Sequence, residues 1–179
     1  MPYRPPEETV RFHEVQHIRQ AWVWILIAFI AALCWYFFIV QIGSGEPVGT
    51  NPAPDWLVLI IWIVFGIIFP LWFLMMKLEY IVTDTEFAFR FFPMHLRWRT
   101  VAFAGITAAE AVTYHPIREF GGWGIRFGWR GGMAYNVGGD RGVRITKSNG
   151  KKILFGSQQS EELERALQSG MTRVQKKEP

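Results

Sequence analysis

The sequence predicts a membrane-anchored α+β protein: a two-helix transmembrane hairpin, then a bent β-sheet or barrel of about seven strands with a C-terminal helix. Three observations predict it. Two long uncharged apolar runs lie in the first half of the 179-residue chain. After Lys77 the apolar residues begin to alternate with polar ones, the period of a half-buried strand. Near the C-terminus the pattern changes again, to one amphipathic helix.

The first run, Ala21 to Ile42, reads AWVWILIAFIAALCWYFFIVQI. At 1.5 Å per residue it spans about 33 Å, against a hydrocarbon core of about 30 Å. The second, Trp56 to Met76, reads WLVLIIWIVFGIIFPLWFLMM and spans about 31 Å. Uncharged runs of this length exceed ordinary core helices. The first is also too long for a signal-peptide apolar region, and no small-residue cleavage site closes it. Trp22 and Trp24 stand at one end of the first run, Trp35 and Tyr36 toward the other. Trp56 opens the second and Trp72 lies near its close, where amphipathic rings favour the membrane–water interface. Trp62 falls outside these belts and is expected to face lipid or the partner helix. Pro70, with Gly66 one turn earlier, predicts a kink. Ala28-x-x-x-Ala32 offers a small-residue contact between helices.

Lys and Arg set the orientation. The loop 43–55, GSGEPVGTNPAPD, has two acids and no base. Arg4, Arg11 and Arg19 precede the first run, and Lys77, Arg90, Arg97 and Arg99 follow the second. The positive-inside rule then gives a multi-pass cell-membrane protein with both termini cytoplasmic and the loop outside. No ionisable residue lies within either run, so neither a proton relay nor an intramembrane catalytic centre is expected. Residues 1–20 read as a cytoplasmic juxtamembrane segment, helical, with His and Arg near the headgroups.

Residues 77–170 read as the β domain. Strands are expected at Leu78–Val82, Phe87–Phe92, Leu96–Phe103, Ile125–Phe127 and Met133–Val137, and Thr107–Tyr114 reads as a further strand or, by its Ala and Glu content, a helix. Gly142–Thr146 and Lys152–Phe155 flank Ser148-Asn149-Gly150, and Asn-Gly between alternating runs signals a tight hairpin. In that hairpin Val143, Ile145, Ile153 and Phe155 face a core, and Arg144 and Lys152 face solvent. Ser157 or Ser160 can cap the last helix, Glu161 and Glu162 suit its first turn, and Leu163 and Leu167 form its apolar stripe. Gly170 reads as the residue that ends it, leaving 171–179 as a flexible tail.

Gly121-Gly122-Trp123-Gly124-Ile125-Arg126, Ala134-Tyr135-Asn136-Val137, Gly142-Val143, Gly156-Ser157-Gln158 and Glu161-Glu162-Leu163 carry a resemblance. So does Glu14-Val15-Gln16 before the first run. Together they are similar to an uncharacterised family of bacterial pleckstrin-homology-like (PH-like) membrane proteins, across nearly the whole chain. The resemblance implies a PH-like domain and a membrane anchor. It implies no reaction.

His13-Glu14-Val15-Gln16-His17 matches H-E-x-x-H, in which two His one helical turn apart hold zinc and the Glu is a general base. A catalytic zinc needs a third ligand in a walled cavity. The other histidines, His95 and His115, do not follow at the required spacing. His13, Glu14 and His17 are therefore candidates for a metal site, with an ordinary juxtamembrane segment as the simpler reading.

Residues 77–179 hold 16 Lys and Arg against 10 Asp and Glu. Arg126, Arg130, Arg144, Lys151 and Lys152 are the candidate lipid-facing cations, because a basic face gains beside anionic lipid. In phosphoinositide-binding proteins of the PH-like fold, the resemblance implies basic residues in the first hairpin. Here that hairpin is Thr83-Asp84-Thr85-Glu86, which is acidic. The glycines of 121–142 alternate with strands and suit turns and bulges rather than a phosphate loop. Cys34, mid-run, is placed where a thiolate is disfavoured.

The expected role is non-catalytic: an interaction or scaffolding module at the membrane, with no cofactor. Its expected partners are the lipid bilayer and a further protein, with no nucleic acid. The alternatives are a zinc-dependent membrane hydrolase using His13, Glu14 and His17, and anionic-lipid sensing by the basic face.

Overall fold

The computed structural model describes residues 9–129 and 131–177. The chain divides into two units. One is Arg19–Met76; the other combines the residues before it with those from Lys77 onward.

The first unit is a helical hairpin, α1 (Ala21–Gly43) and α2 (Asp55–Met75), with mean hydropathies of 2.6 and 2.8 over their most apolar windows. Both helices are long and apolar enough to cross a membrane. Few of their side chains are buried, and Trp22, Ile25, Phe29, Leu71 and Leu74 are among those that stand exposed. The contact face is Ile27 and Cys34 of α1 with Val58 and Gly66 of α2, all buried. Ala28 and Ala32 are exposed, so the small-residue pair is not this contact. Trp62 faces the partner helix. Its ring stacks on Phe38 at 3.9 Å and meets Trp35 edge-on at 5.1 Å.

Pro70 has no N–H to offer the carbonyl of Gly66 four residues back. Wider π-type turns run over Trp62–Ile68 just before it. Trp35 Nε1 donates to the Gly66 oxygen at 3.3 Å, supplying a partner from the neighbouring helix. At the other end Gln41 Nε2 donates to Ala53 O at 2.6 Å and to Asp55 Oδ1 at 2.8 Å, which pins the connecting loop.

The second unit is α+β, with nine strands among the described residues. Sheet order β1-β2-β3-β4 joins β1 (Phe12–His17), β2 (Lys77–Val82), β3 (Glu86–Phe92) and β4 (Arg99–Ala102). The second sheet, β5-β8-β9-β7-β6, joins β5 (Ile106–Thr113), β8 (Arg141–Lys147), β9 (Lys152–Gly156), β7 (Met133–Asn136) and β6 (Gly124–Phe127). A short helix α3 (Pro116–Phe120) and a C-terminal helix α4 (Ser160–Lys177) complete it.

Where the sheets meet, the core is aromatic. Tyr80, Phe87 and Phe89 from the first sheet meet Phe155 of the second at ring distances of 5.8, 4.9 and 4.8 Å. Tyr135 stacks on Phe155 at 5.5 Å. Rings of this size bury large apolar areas and prefer such edge-on and offset contacts. Val143, Ile145 and Phe155 are buried as their alternation requires, and Ile153 is half-buried. Leu163 and Leu167 of α4 are fully buried.

Four expectations need correction. The segment before α1 is not a juxtamembrane helix. Residues 12–17 form β1, because Phe12, Glu14 and Gln16 alternate inward while His13, Val15 and His17 alternate outward. This strand raises the count above about seven. The expected strand 96–103 shortens to Arg99–Ala102, followed by a single turn at Phe103–Gly105. Gly170 does not end the last helix. It lies inside α4 against the Phe103 ring, where a Cβ would come within 2.3 Å of a ring carbon. The helix continues to Lys177, so the expected flexible tail 171–179 is helical over 171–177, and 178–179 lie outside the described residues.

β1 and β2 are antiparallel neighbours, and His17 pairs with Lys77 at one end of their ladder. The helical hairpin is therefore an insertion between two adjacent strands.

Candidate ligand site

A cavity of about 640 Å³ lies on the face of the five-stranded sheet that carries Arg144, Lys152 and Leu154. Side chains alternate along β8 and β9, so these three point away from Val143, Ile145 and Phe155, and hence away from the aromatic core. His115, Arg118, Glu119 and Phe120 wall one side, and Gly128, Trp129, Gly131, Gly132 and Met133, from the turn into β7, wall another.

Local chemistry builds both walls. Pro116 starts α3 without needing an N–H partner, and the His115 amide donates to Glu119 Oε1 at 2.8 Å. Phe120 packs on Tyr114, Ala134 and Leu154, a small second core beneath the cavity. The Trp129 amide donates to Glu119 O at 3.2 Å and ties the loop to α3. Gly132 turns that loop at φ +89°, and a Cβ there would approach Lys152 O to 2.9 Å.

Three cations, Arg118, Arg144 and Lys152, line this space. Among the described residues none of their side chains makes a hydrogen bond or ion pair. Glu110 lies opposite Arg144 in the β5–β8 register without an ion pair. The carboxylate in the cavity wall, Glu119, is engaged by the His115 amide.

Two of the cations expected from sequence, Arg144 and Lys152, thus meet here. Arg126 does not line the cavity; its Nε donates to Trp123 O at 3.0 Å. Lys151 sits exposed in the β8–β9 turn, also outside it. Arg130 lies outside the described residues. Sequence reading missed Arg118, His115 and Trp129. The available signal was a Trp within a glycine-rich turn flanked by basic residues, which a turn alone does not require.

The H-E-x-x-H residues are divided by their strand. His13 and His17 point to solvent, while Glu14 is buried on the opposite face. Glu14 accepts the Ser157 hydroxyl at 2.6 Å and the Gln158 amide at 2.9 Å, just before α4. Burial raises its pKa above the usual carboxylate range, against the opposing effect of these hydrogen bonds. Beside it Gln16 Nε2 donates to Gly156 O at 2.8 Å, and Tyr80 Oη donates to the same oxygen at 2.9 Å. The pattern is zinc-like only on a helix, where i and i+4 share a face with the Glu nearby.

The glycine, Asn and Ser motifs likewise hold the fold. Asn136 Oδ1 accepts the Gly124 amide at 2.8 Å, and its Nδ2 donates to Tyr114 Oη at 2.9 Å. Burial pushes the Tyr114 hydroxyl up to about 12. The acidic first hairpin is a structural clasp: Asp84 pairs with Arg11 at 2.9 Å and with Arg173 of α4. The Arg11 hydrogen bond leads in holding its carboxyl below the ordinary range.

Residues 3–174 match a family of unknown function, DUF6141. The chain belongs to this family. No curated protein and no solved structure matches it. The match runs through the helical hairpin and both sheets, so the family comprises both units rather than the β unit alone.

Proposed function

We propose that this member of the family is a membrane-anchored, non-catalytic interaction module, with the hairpin in the bilayer and a PH-like domain on its cytoplasmic side. The observation that carries the proposal is the hairpin surface. Two helices of spanning length leave most of their apolar side chains exposed, and water would penalise such a surface. The insertion between β1 and β2 supports it, because both chain crossings start from one end of a rigid strand pair.

Orientation follows from charge. The loop between the helices is acidic, and the basic residues lie beyond their outer ends. The PH-like assignment is supported by two packed antiparallel-rich sheets and a C-terminal amphipathic helix whose leucines enter the core. A non-catalytic role is supported by the division of the H-E-x-x-H residues between opposite faces of β1, with Glu14 committed to the start of α4. The partner in this role is a further protein recognised by the domain.

Alkaline carbonate extraction of membranes from cells expressing the full chain tests the proposal. Retention in the pellet is the expected result. Release into the supernatant would show a peripheral or soluble protein and overturn it.

A further inference from the structure

We infer that the cavity on the five-stranded sheet binds the phosphate-bearing headgroup of an anionic phospholipid, an inference that rests on the membrane reading above. Arg118, Arg144 and Lys152 line one space with no ion pair among the described residues and with Glu119 as the one carboxylate in the lining, an excess of positive charge that a bound anion would offset. Guanidinium groups suit the forked geometry of a phosphate diester, and lysine adds a point charge. The cavity is not purely polar. Leu154, Met133 and Phe120 give it apolar walls.

The rim decides between a lipid and a soluble phosphate. Trp129 lines the cavity and stands 82% exposed. A soluble anion has no use for a bare indole at its entrance. A lipid does, since glycerol and acyl carbons extend from the phosphate and Trp favours the headgroup layer. The site is separate from the first hairpin, which is acidic and clasped by Arg11 and Arg173.

The test uses the full chain, delipidated in neutral detergent and titrated with short-chain phosphatidylglycerol, short-chain phosphatidylcholine or inorganic phosphate. The parent is expected to bind phosphatidylglycerol at least about tenfold tighter than phosphatidylcholine, with inorganic phosphate weaker than phosphatidylglycerol. Arg144→Gln with Lys152→Gln should lose about tenfold or more for phosphatidylglycerol at an unchanged thermal midpoint. Trp129→Ala, at an exposed position, should weaken the lipid several-fold (about threefold or more) and leave inorganic phosphate unchanged.

No preference for the anionic lipid would overturn the inference, and so would a double variant that binds it like the parent. Inorganic phosphate binding as tightly as the lipid, with no effect of Trp129→Ala, would assign the cavity to a soluble anion and also overturn it. Should carbonate extraction release the protein while short-chain lipid still binds, the anchor fails and the site stands; the reverse outcome is equally distinct.

Discussion

The Glu14 carboxylate accepts the hydroxyl hydrogen of Ser157 at 2.6 Å, across 143 residues of sequence. It joins a strand that precedes the helical hairpin to the turn that starts the last helix. Without it the amide of Gln158 and the hydroxyl hydrogen of Ser157 would lose their acceptor, a cost of about 1–3 kcal/mol. Glu14→Ala is therefore expected to lower stability by that amount. Glu14→Gln keeps an oxygen for the amide and an NH2 for the hydroxyl oxygen, and should cost less than half as much. The raised pKa gives a second signature. The native state holds this proton to higher pH than the unfolded chain, so stability falls as pH rises from the ordinary value of 4.5 through the raised one. That slope should vanish in Glu14→Gln. His13→Ala with His17→Ala should leave thermal melts and zinc content unchanged.

Leu163 and Leu167 are fully buried, one helical turn apart, and Arg165 between them is exposed. Leu163→Ala should cost about 2–5 kcal/mol in the full chain, and Arg165→Ala less than about 0.5. Gly170→Ala should also destabilise, because its methyl would meet the Phe103 ring. Thermal melts in detergent separate these outcomes. Equal midpoints for Leu163→Ala and Arg165→Ala would remove α4 from the core.

His95 is buried beside the rings of Phe89 and Tyr135, and its Nδ1 accepts the Phe91 amide at 3.4 Å. Burial, with the nearby Arg99 charge, lowers its pKa below 6.5. Its contribution to stability is complete above that value and is lost as pH falls through the lowered one, because the unfolded chain takes up the proton first. Melting midpoints should therefore fall between about pH 7 and pH 5. His95→Asn keeps an acceptor near Nδ1 without titrating, and should flatten the profile over that range.

In the hairpin, Trp35 serves the carbonyl that Pro70 cannot. Trp35→Phe retains a ring against Trp62 but removes the donor to Gly66 O. The expected loss is about 0.5–1.5 kcal/mol in detergent melts. Pro70→Ala restores a backbone donor within α2, so the same Trp35→Phe change should then cost less.

Much of the fold could be read from the sequence because its signals are local. Uncharged runs of spanning length mark α1 and α2, and alternation around Asn149-Gly150 marks β8 and β9 with their inward Val143, Ile145 and Phe155. The strand β1 was hidden because its inward residues, Glu14 and Gln16, are polar. Their burial is made possible by Ser157, Gln158 and Gly156, which lie some 140 residues away. Gly170 misled because helix-ending and close-packing glycines look alike in sequence, and only the distance to Phe103 separates them. At the candidate site, Arg144 and Lys152 could be found as outward residues of a hairpin. Arg118 could not, since α3 is five residues long and meets β8 and β9 only through tertiary packing.

Site-specific labelling tests most directly whether the hairpin spans a membrane with the β unit inside. Cys34→Ser provides a cysteine-free background. Thr50→Cys then reports on the loop between the helices, and Ser148→Cys on the exposed β8–β9 turn. Spheroplasts treated with a membrane-impermeant maleimide should be labelled at position 50 while intact, and at position 148 only after lysis. Labelling of position 148 in intact spheroplasts, or protection of position 50 until lysis, would contradict the topology.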